Sequence, residues 1–345
     1  MKNIGKRILA LTVVFTLSFG VLAGCGSTSK EENTQTTGET KSEETVIRVA
    51  HFPFSIWNDQ FIIAYQKGFF DEVFAEDNVK VEVVEFENGP AANEAFIAGD
   101  IDFVNGIGDQ PIIIGIGNGV ETTIVSGAAK QGANIGIISP KDAGISSAED
   151  LKGEKIGVFV GTYVHKSLIG ILNDAGIDEK DVNIVNITST SDADAAFESG
   201  DIDAYLAMSA YYIHTKIEDE GFIKVADCSN HPAYSYDVAS DKFIEEHPEL
   251  LEKFVEALYK AEQWIDENEE EAYELIADFA GIDVERARYT NQDADRTIVW
   301  DEDYEKNLKE TYDFLESHDM ITNELTEEDI KNHIDTSFLD KAVAK

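Results

Sequence analysis

Two stretches of the chain nearly repeat each other: FIAGDIDF at residues 96–103 and FESGDIDA at residues 197–204. Each places phenylalanine three residues before a Gly-Asp-Ile-Asp phrase. Each follows a helix-like segment, PAANEAFIAG or SDADAAFESG, and leads into an apolar, strand-like one. Glycine ends a helix readily because it enters the left-handed conformation without a Cβ clash. Gly99 and Gly200 are therefore expected at helix ends, Asp100 and Asp201 in the turns, and the following isoleucines in strands. Phe96 and Phe197 are expected to pack their helices onto the sheet. One phrase used twice in this architectural way predicts two similar lobes.

The rest of the pattern agrees. VIRVAHF (46–52), VKVEVVEF (79–86) and DIDFVNGI read as strands, separated by NDQFIIAYQKGFFDEVF and PAANEAFIAG as helices. KIGVFVG (155–161), VNIVNIT (182–188) and DIDAYLAM (201–208) repeat the plan with VHKSLIGILNDAG and SDADAAFESG between them. Alternating strands and helices with short links predict an α/β fold of mostly parallel sheets covered by helices. ETTIVSGAA, NIGIISP, FIKVAD and YSYDVASDKF add strands, and PELLEKFVEALYKAEQWIDEN and YEKNLKETYDFLESHDM are long amphipathic helices. The expected organisation is one lobe from 45–137 plus 236–345 and a second from 138–235, joined by two crossings with a cleft between them.

The N-terminus is separate from this plan. MKNIGKR carries three positive charges and is followed by 17 uncharged residues ending at LAGC. This is the pattern of a secretory signal, and the small residues before Cys25 resemble the lipobox of bacterial lipoproteins. The expectation is a signal over 1–24, lipid on Cys25, and a flexible Ser/Thr/Lys/Glu-rich tether over 25–44 holding the body at the extracytoplasmic face of the cell membrane. The other cysteine, Cys228, then has no disulfide partner and reads as a buried thiol. The formal charge of −41 excludes a general nucleic-acid binder, since nothing could neutralise a phosphate backbone.

Ligands of open α/β sheets bind beyond the carboxyl ends of the strands, where helix N-termini offer free N–H groups. Four loops meet that description. HFPFSIWND offers Phe54 and Trp57 as an aromatic wall. NGIGDQPII offers Gly108, where backbone can approach a guest, with Asp109 and Gln110 as polar contacts at a helix start. GTYVHKS offers Gly161, Thr162, Tyr163 and His165 as donors suited to an anion, and MSAYYIH offers Ser209 and Tyr211. His231, Tyr234 and Tyr236 lie near the return crossing. No nucleophile elbow, zinc-protease helix or phosphate loop is present, so the residues point to binding without catalysis, metal or cofactor.

With these residues in view, the chain resembles the substrate-binding proteins of ABC importers for nitrate, taurine and aliphatic sulfonates. The resemblance spans 46–240 and is carried by EFENGPAANEAFIAGDIDF, GIGDQPIIIG, DLKGEKIGVFVGTYVHKSLIGIL and DADAAFESGDIDAYL. It implies a type II periplasmic-binding-protein fold that closes on its ligand as a monomer and delivers it to a permease driven by an ATPase. It further implies a small organic anion, an aliphatic sulfonate or taurine-like compound, with Gly161 and His165 in a Gly-x-x-x-His loop and Gly108 and Asp109 in a Gly-Asp loop. Sulfonate binders carry a Trp-Asp-Pro-like segment where this chain has Met208-Ser209-Ala210. The alternatives are a binder of an amine or nitrogenous heterocycle such as a thiamin-pyrimidine precursor, with Asp109 as counter-charge, or an enzyme on the same fold.

Overall fold

The computed structural model describes residues 44–52, 59–86, 89–292 and 294–345. The expected signal, Cys25, nearly all of the tether, Phe54 and Trp57 lie outside the described residues.

The first half of the body runs β1 (Thr45–His51), α1 (Asp59–Gln66), α2 (Phe69–Val73), β2 (Val79–Glu85), α3 (Gly89–Ala98), β3 (Phe103–Gly108), α4 (Asp109–Gly117) and β4 (Thr122–Gln131). The segment read as one helix after β1 is two, because Gly68 adopts φ 74 between α1 and α2. The chain then crosses to β5 (Gly136–Pro140), β6 (Lys155–Val158), α5 (Tyr163–Asp174), β7 (Asn183–Asn186), α6 (Thr190–Ser199), β8 (Ala204–Ala207), α7 (Ala210–Glu220) and β9 (Phe222–Asp227). It returns through β10 (Ala233–Ser240) and continues as α8 (Asp241–Glu246), α9 (Pro248–Glu267), α10 (Glu269–Ala280), α11 (Val284–Asn291), α12 (Glu302–Ser317), α13 (Glu327–Lys331) and α14 (Ser337–Val343).

Two five-stranded sheets result, ordered β2-β1-β3-β10-β4 and β7-β6-β8-β5-β9. In each, three strands pair in parallel and the fourth in the order lies antiparallel to both neighbours. That fourth strand is the one delivered by a crossing, β10 to the first sheet and β5 to the second. The sheets are therefore mixed, although most strands in each share a direction. The crossings occupy 132–135 and 228–232, so the lobe boundaries expected at 137/138 and 235/236 fall inside β5 and β10. NIGIISP and YSYDVASD each read locally as one strand, which hides where the chain changes sheet.

The repeated phrase builds the same joint in both lobes. Gly99 and Gly200 adopt φ 72 and 74, and Asp100 and Asp201 return their N–H groups to Ala95 and Ala196. The second aspartate ties the joint to the neighbouring parallel strand, β1 in the first sheet and β6 in the second. Asp102 accepts from the Arg48 backbone and guanidinium at 2.8–2.9 Å, while Asp203 accepts from the Lys155 backbone at 3.0 Å. The Arg48 and Lys155 side chains also reach the Gly99 and Gly200 carbonyls. Phe96 is buried in the first lobe's core, and Phe197 packs edge-on to Phe222 in the second.

One face of the first sheet is covered by α1 and α9, whose Leu251, Phe254 and Leu258 are fully buried. On the other face, Ile107 and Ile113 meet Tyr304, Leu308 and Leu315 of α12. This placement brings α12 to the strand ends where the two lobes meet.

Candidate functional site

The carboxyl ends of β3 and β6 each lead into a helix, and those helix starts define the candidate site. Gly108 caps α4 in an extended conformation, which places Asp109 and Gln110 in its first turn. A carboxylate there is favoured by the helix dipole. Asp109 is fully buried, and its oxygens have four donors. Oδ1 accepts from the Gln110 backbone at 2.8 Å, and Oδ2 from Lys166 Nζ at 2.6 Å, Thr311 Oγ1 at 2.7 Å and Asn307 Nδ2 at 3.0 Å.

Lys166 comes from α5 of the second lobe, and all three of its N–H donors are used. They reach Asp109, Asn307 Oδ1 and Thr311 Oγ1, each at 2.6 Å. Asn307 also donates to the Tyr236 hydroxyl, which bonds the Tyr304 carbonyl. Burial and the nearby Asp109 charge push the Tyr236 phenol upward, so it stays neutral. A closed network thus joins α4 and α12 to the second lobe. Asp109 already has a counter-charge in Lys166.

Gln110 differs. It is fully buried, and among the described residues neither its Nε2 nor its Oε1 has a hydrogen-bond partner. An unpaired buried amide costs about 1–3 kcal/mol, so a group left this way calls for an explanation.

In the second lobe, Gly161 adopts φ 82, and a Cβ there would stand 3.6 Å from Met320 Cε. Thr162 caps α5, but its hydroxyl donates to the Phe159 carbonyl at 2.7 Å. Tyr163 is half-buried by solvent exposure, and desolvation pushes its phenol upward. His165 is buried edge-on to Phe314, with ring centroids 5.2 Å apart, and lies 5.9 Å from the His318 ring. Its Nδ1 has no partner among the described residues, and burial lowers its pKa against the opposing pull of Glu179. Thr162 closes its own turn, and His165 packs beneath α12.

Ser209 caps α7 by accepting from the Tyr212 backbone at 3.2 Å. Tyr211 lies under the Arg286 guanidinium, 5.3 Å from its ring centroid. His231 bonds Asp174 at 2.8 Å, and Tyr234 packs edge-on to Tyr304. Cys228 is fully buried, with its thiol pushed up to about 12, chiefly by desolvation. A separate cavity of about 320 Å³ lies on the opposite side of α12, lined by Lys309, Tyr312, Ile330 and Lys331, and includes none of these turns. Among the described residues, no cluster of His, Cys, Asp or Glu could hold a metal ion, and no helix is long and apolar enough to cross a membrane.

Lys166, Asn307 and Thr311 escaped the sequence reading. Lys166 adjoins His165 in the motif, but nothing local marks its partners 141 and 145 residues away. The available signal was a polar row on α12, where Asn307 and Thr311 interrupt an otherwise apolar inner face.

The model of the family described as NMT1/THI5 like matches residues 59–272. A provisionally assigned aliphatic sulfonates-binding protein of Bacillus subtilis (strain 168) is 27% identical over 343 residues, covering 98% of this chain and 97% of that protein. Among solved structures, the alkanesulfonate-binding protein SsuA from Xanthomonas axonopodis pv. citri, bound to MOPS, superposes with a TM-score of 0.69. It is 18% identical, over 85% of this chain and 99% of that one. The desulfurization enzyme DSZB has the same fold at a TM-score of 0.68 and 17% identity, over 87% of this chain and 99% of that one.

Proposed function

We propose, because the chain belongs to the NMT1/THI5 like family, that it is an extracytoplasmic solute-binding protein which captures a small organic anion between its lobes for an ABC importer. The ligand class proposed is an aliphatic sulfonate or a taurine-like compound. The observation that carries this reading is Gln110 in the first turn of α4, a fully buried amide with no hydrogen-bond partner among the described residues. Beside it, Asp109 is neutralised by Lys166, so the amine-binding alternative lacks a free carboxylate at this turn. A sulfonate spreads one charge over three oxygens and can be held by neutral N–H donors at a helix start. The relatives' names support the ligand class.

An enzymatic role like that of DSZB is disfavoured by Cys228, the one cysteine among the described residues. Its thiol is fully buried and pushed up to about 12 by desolvation, which disfavours the thiolate a nucleophile needs. Lipid on Cys25, and a permease with its ATPase as partners, complete the proposal.

A thermal-shift series on the full chain tests it, with ethanesulfonate, taurine, nitrate, bicarbonate and simple amines as probes. A ligand of the folded state adds about 2.7 kcal/mol at a hundredfold excess over its dissociation constant. A shift with a sulfonate and none with amines is expected. Shifts with amines alone would overturn the reading.

A further inference from the structure

The likeness of the two lobes extends from the repeated phrase to the helix starts that follow it. The register that maps Phe96 onto Phe197 also maps Asp109 and Gln110, which open α4, onto Ala210 and Tyr211, which open α7. Both helices begin beyond the carboxyl end of the corresponding strand, β3 or β8, where ligands of such sheets bind. At this position the first lobe has the buried Gln110 amide, unpaired among the described residues. The second lobe has Tyr211, with the Arg286 guanidinium of α11 over its ring, 5.3 Å from the centroid.

Arg286 is unlike the other described arginines. Arg48 pairs with Asp102, Arg288 with Glu270, and Arg296 with Asp59 and Glu269. Arg286 is half-buried, yet among the described residues its guanidinium has neither a carboxylate nor any other oxygen as partner. The chain has 68 acidic residues against 27 lysines and arginines, so carboxylates are not scarce. Asp283, three residues before Arg286, caps α11 by accepting from the Arg286 backbone N–H at 2.8 Å and leaves the side chain alone.

The helix that carries Arg286 is fixed on both sides. The Tyr289 ring stacks on His214 of α7, with centroids 3.7 Å apart and planes 17° from parallel. Asn134, in the first crossing, donates to the Thr290 and Gln292 carbonyls at 3.3 Å. These contacts hold the guanidinium at the α7 start. The tyrosine ring attracts the cation but supplies no oxygen for its five N–H donors.

We propose that Arg286 is the charged anchor for the ligand's oxyanion head, held on Tyr211 at the α7 start and binding two of the head's oxygens through its guanidinium fork. The planar fork matches two oxygens of a sulfonate, whereas a lysine ammonium supplies the same charge without the paired geometry. Chloride has the charge but no pair of oxygens, so it does not engage the fork. The inference rests on the solute-binding reading and adds a cation to the neutral donors of the α4 start.

The test is calorimetric titration of the full chain with ethanesulfonate, together with nitrogen-15 spectra of its arginine side chains. Ethanesulfonate should move the Arg286 Nε–H signal, assigned by its loss in Arg286→Lys, and chloride at the same concentration should not. Arg286→Gln should weaken ethanesulfonate binding about ten- to a hundredfold, the worth of hydrogen bonds to a charged group. Arg286→Lys should recover only part of that, and full recovery overturns the fork. Equal affinity in Arg286→Gln, or binding that leaves the wild-type Arg286 signal in place, overturns the anchor while the sulfonate reading stands. The wild-type spectra decide this even where a variant fails to fold. If ethanesulfonate does not bind but nitrate or bicarbonate moves the Arg286 signal, the sulfonate reading falls and the anchor stands. If none of these anions binds, both fall.

Discussion

Lys166 adjoins His165 in the chain and Gln110 is itself singled out by the sequence, yet their environments are opposite. Lys166 has every donor used, and its removal strands the fully buried carboxylate of Asp109. Lys166→Met should therefore destabilise the protein by about 3–5 kcal/mol, since breaking a buried pair leaves an uncompensated charge. Adding Asp109→Asn should recover much of that loss, and urea unfolding of the single and double variants measures both. Among the described residues Gln110 has no partner to lose. Gln110→Met keeps the volume and removes an unpaired amide, so the ligand-free protein should gain about 1 kcal/mol while sulfonate affinity falls. A loss of stability without ligand would show that the amide has an internal role. Asp109 and Gln110 were legible as members of a helix-start loop, because Gly-Asp after a strand is a local signal. Their contrasting roles were not, because Asn307 and Thr311 come from the far end of the chain.

At the scale of elements, the repeated joint makes a matched prediction. Gly99 and Gly200 have φ of 72 and 74, and at both a Cβ would meet nothing within 4 Å. The cost of alanine is then backbone strain alone, about 1 kcal/mol at each site. Chemical denaturation of Gly99→Ala and Gly200→Ala should show nearly equal losses, and a large inequality would show that the joints are not equivalent. The joint was readable because a helix end, a turn and a strand start are set by neighbours in sequence. The antiparallel fourth strand of each sheet was not, since β5 and β10 look locally like any other buried strand and find their sheets only through the crossings.

At the scale of the molecule, charge and burial oppose each other. Asp237 is fully buried in the first sheet, bonded by Asn105, Gly106 and Ser126, and desolvation pushes its pKa up to about 7. Its unfolded value is about 3.9. Between these values the folded state binds the proton more tightly, so this group's contribution to stability declines as pH rises from about 4 to about 7 and is constant above. Glu262, also desolvated and pushed to about 7, acts in the same direction. Asp237→Asn should gain on the wild type progressively through that window and keep the advantage at higher pH. Unfolding midpoints across pH measure this, and a difference that does not vary with pH would refute it.

The sequence by itself determined the two α/β lobes, their repeated helix-to-strand joints and the loops at the strand ends, because each follows from apolar periodicity and turn chemistry within a few residues. The tertiary structure alone decided that Asp109 is neutralised by Lys166, that His165 packs under α12, that Gln110 is left unpaired among the described residues, and that Lys166 joins α12 to the second lobe. These outcomes depend on groups far apart in the chain whose ionisation and hydrogen bonding are set by desolvation. Burial is a property of the assembled fold, and no local stretch of sequence carries it.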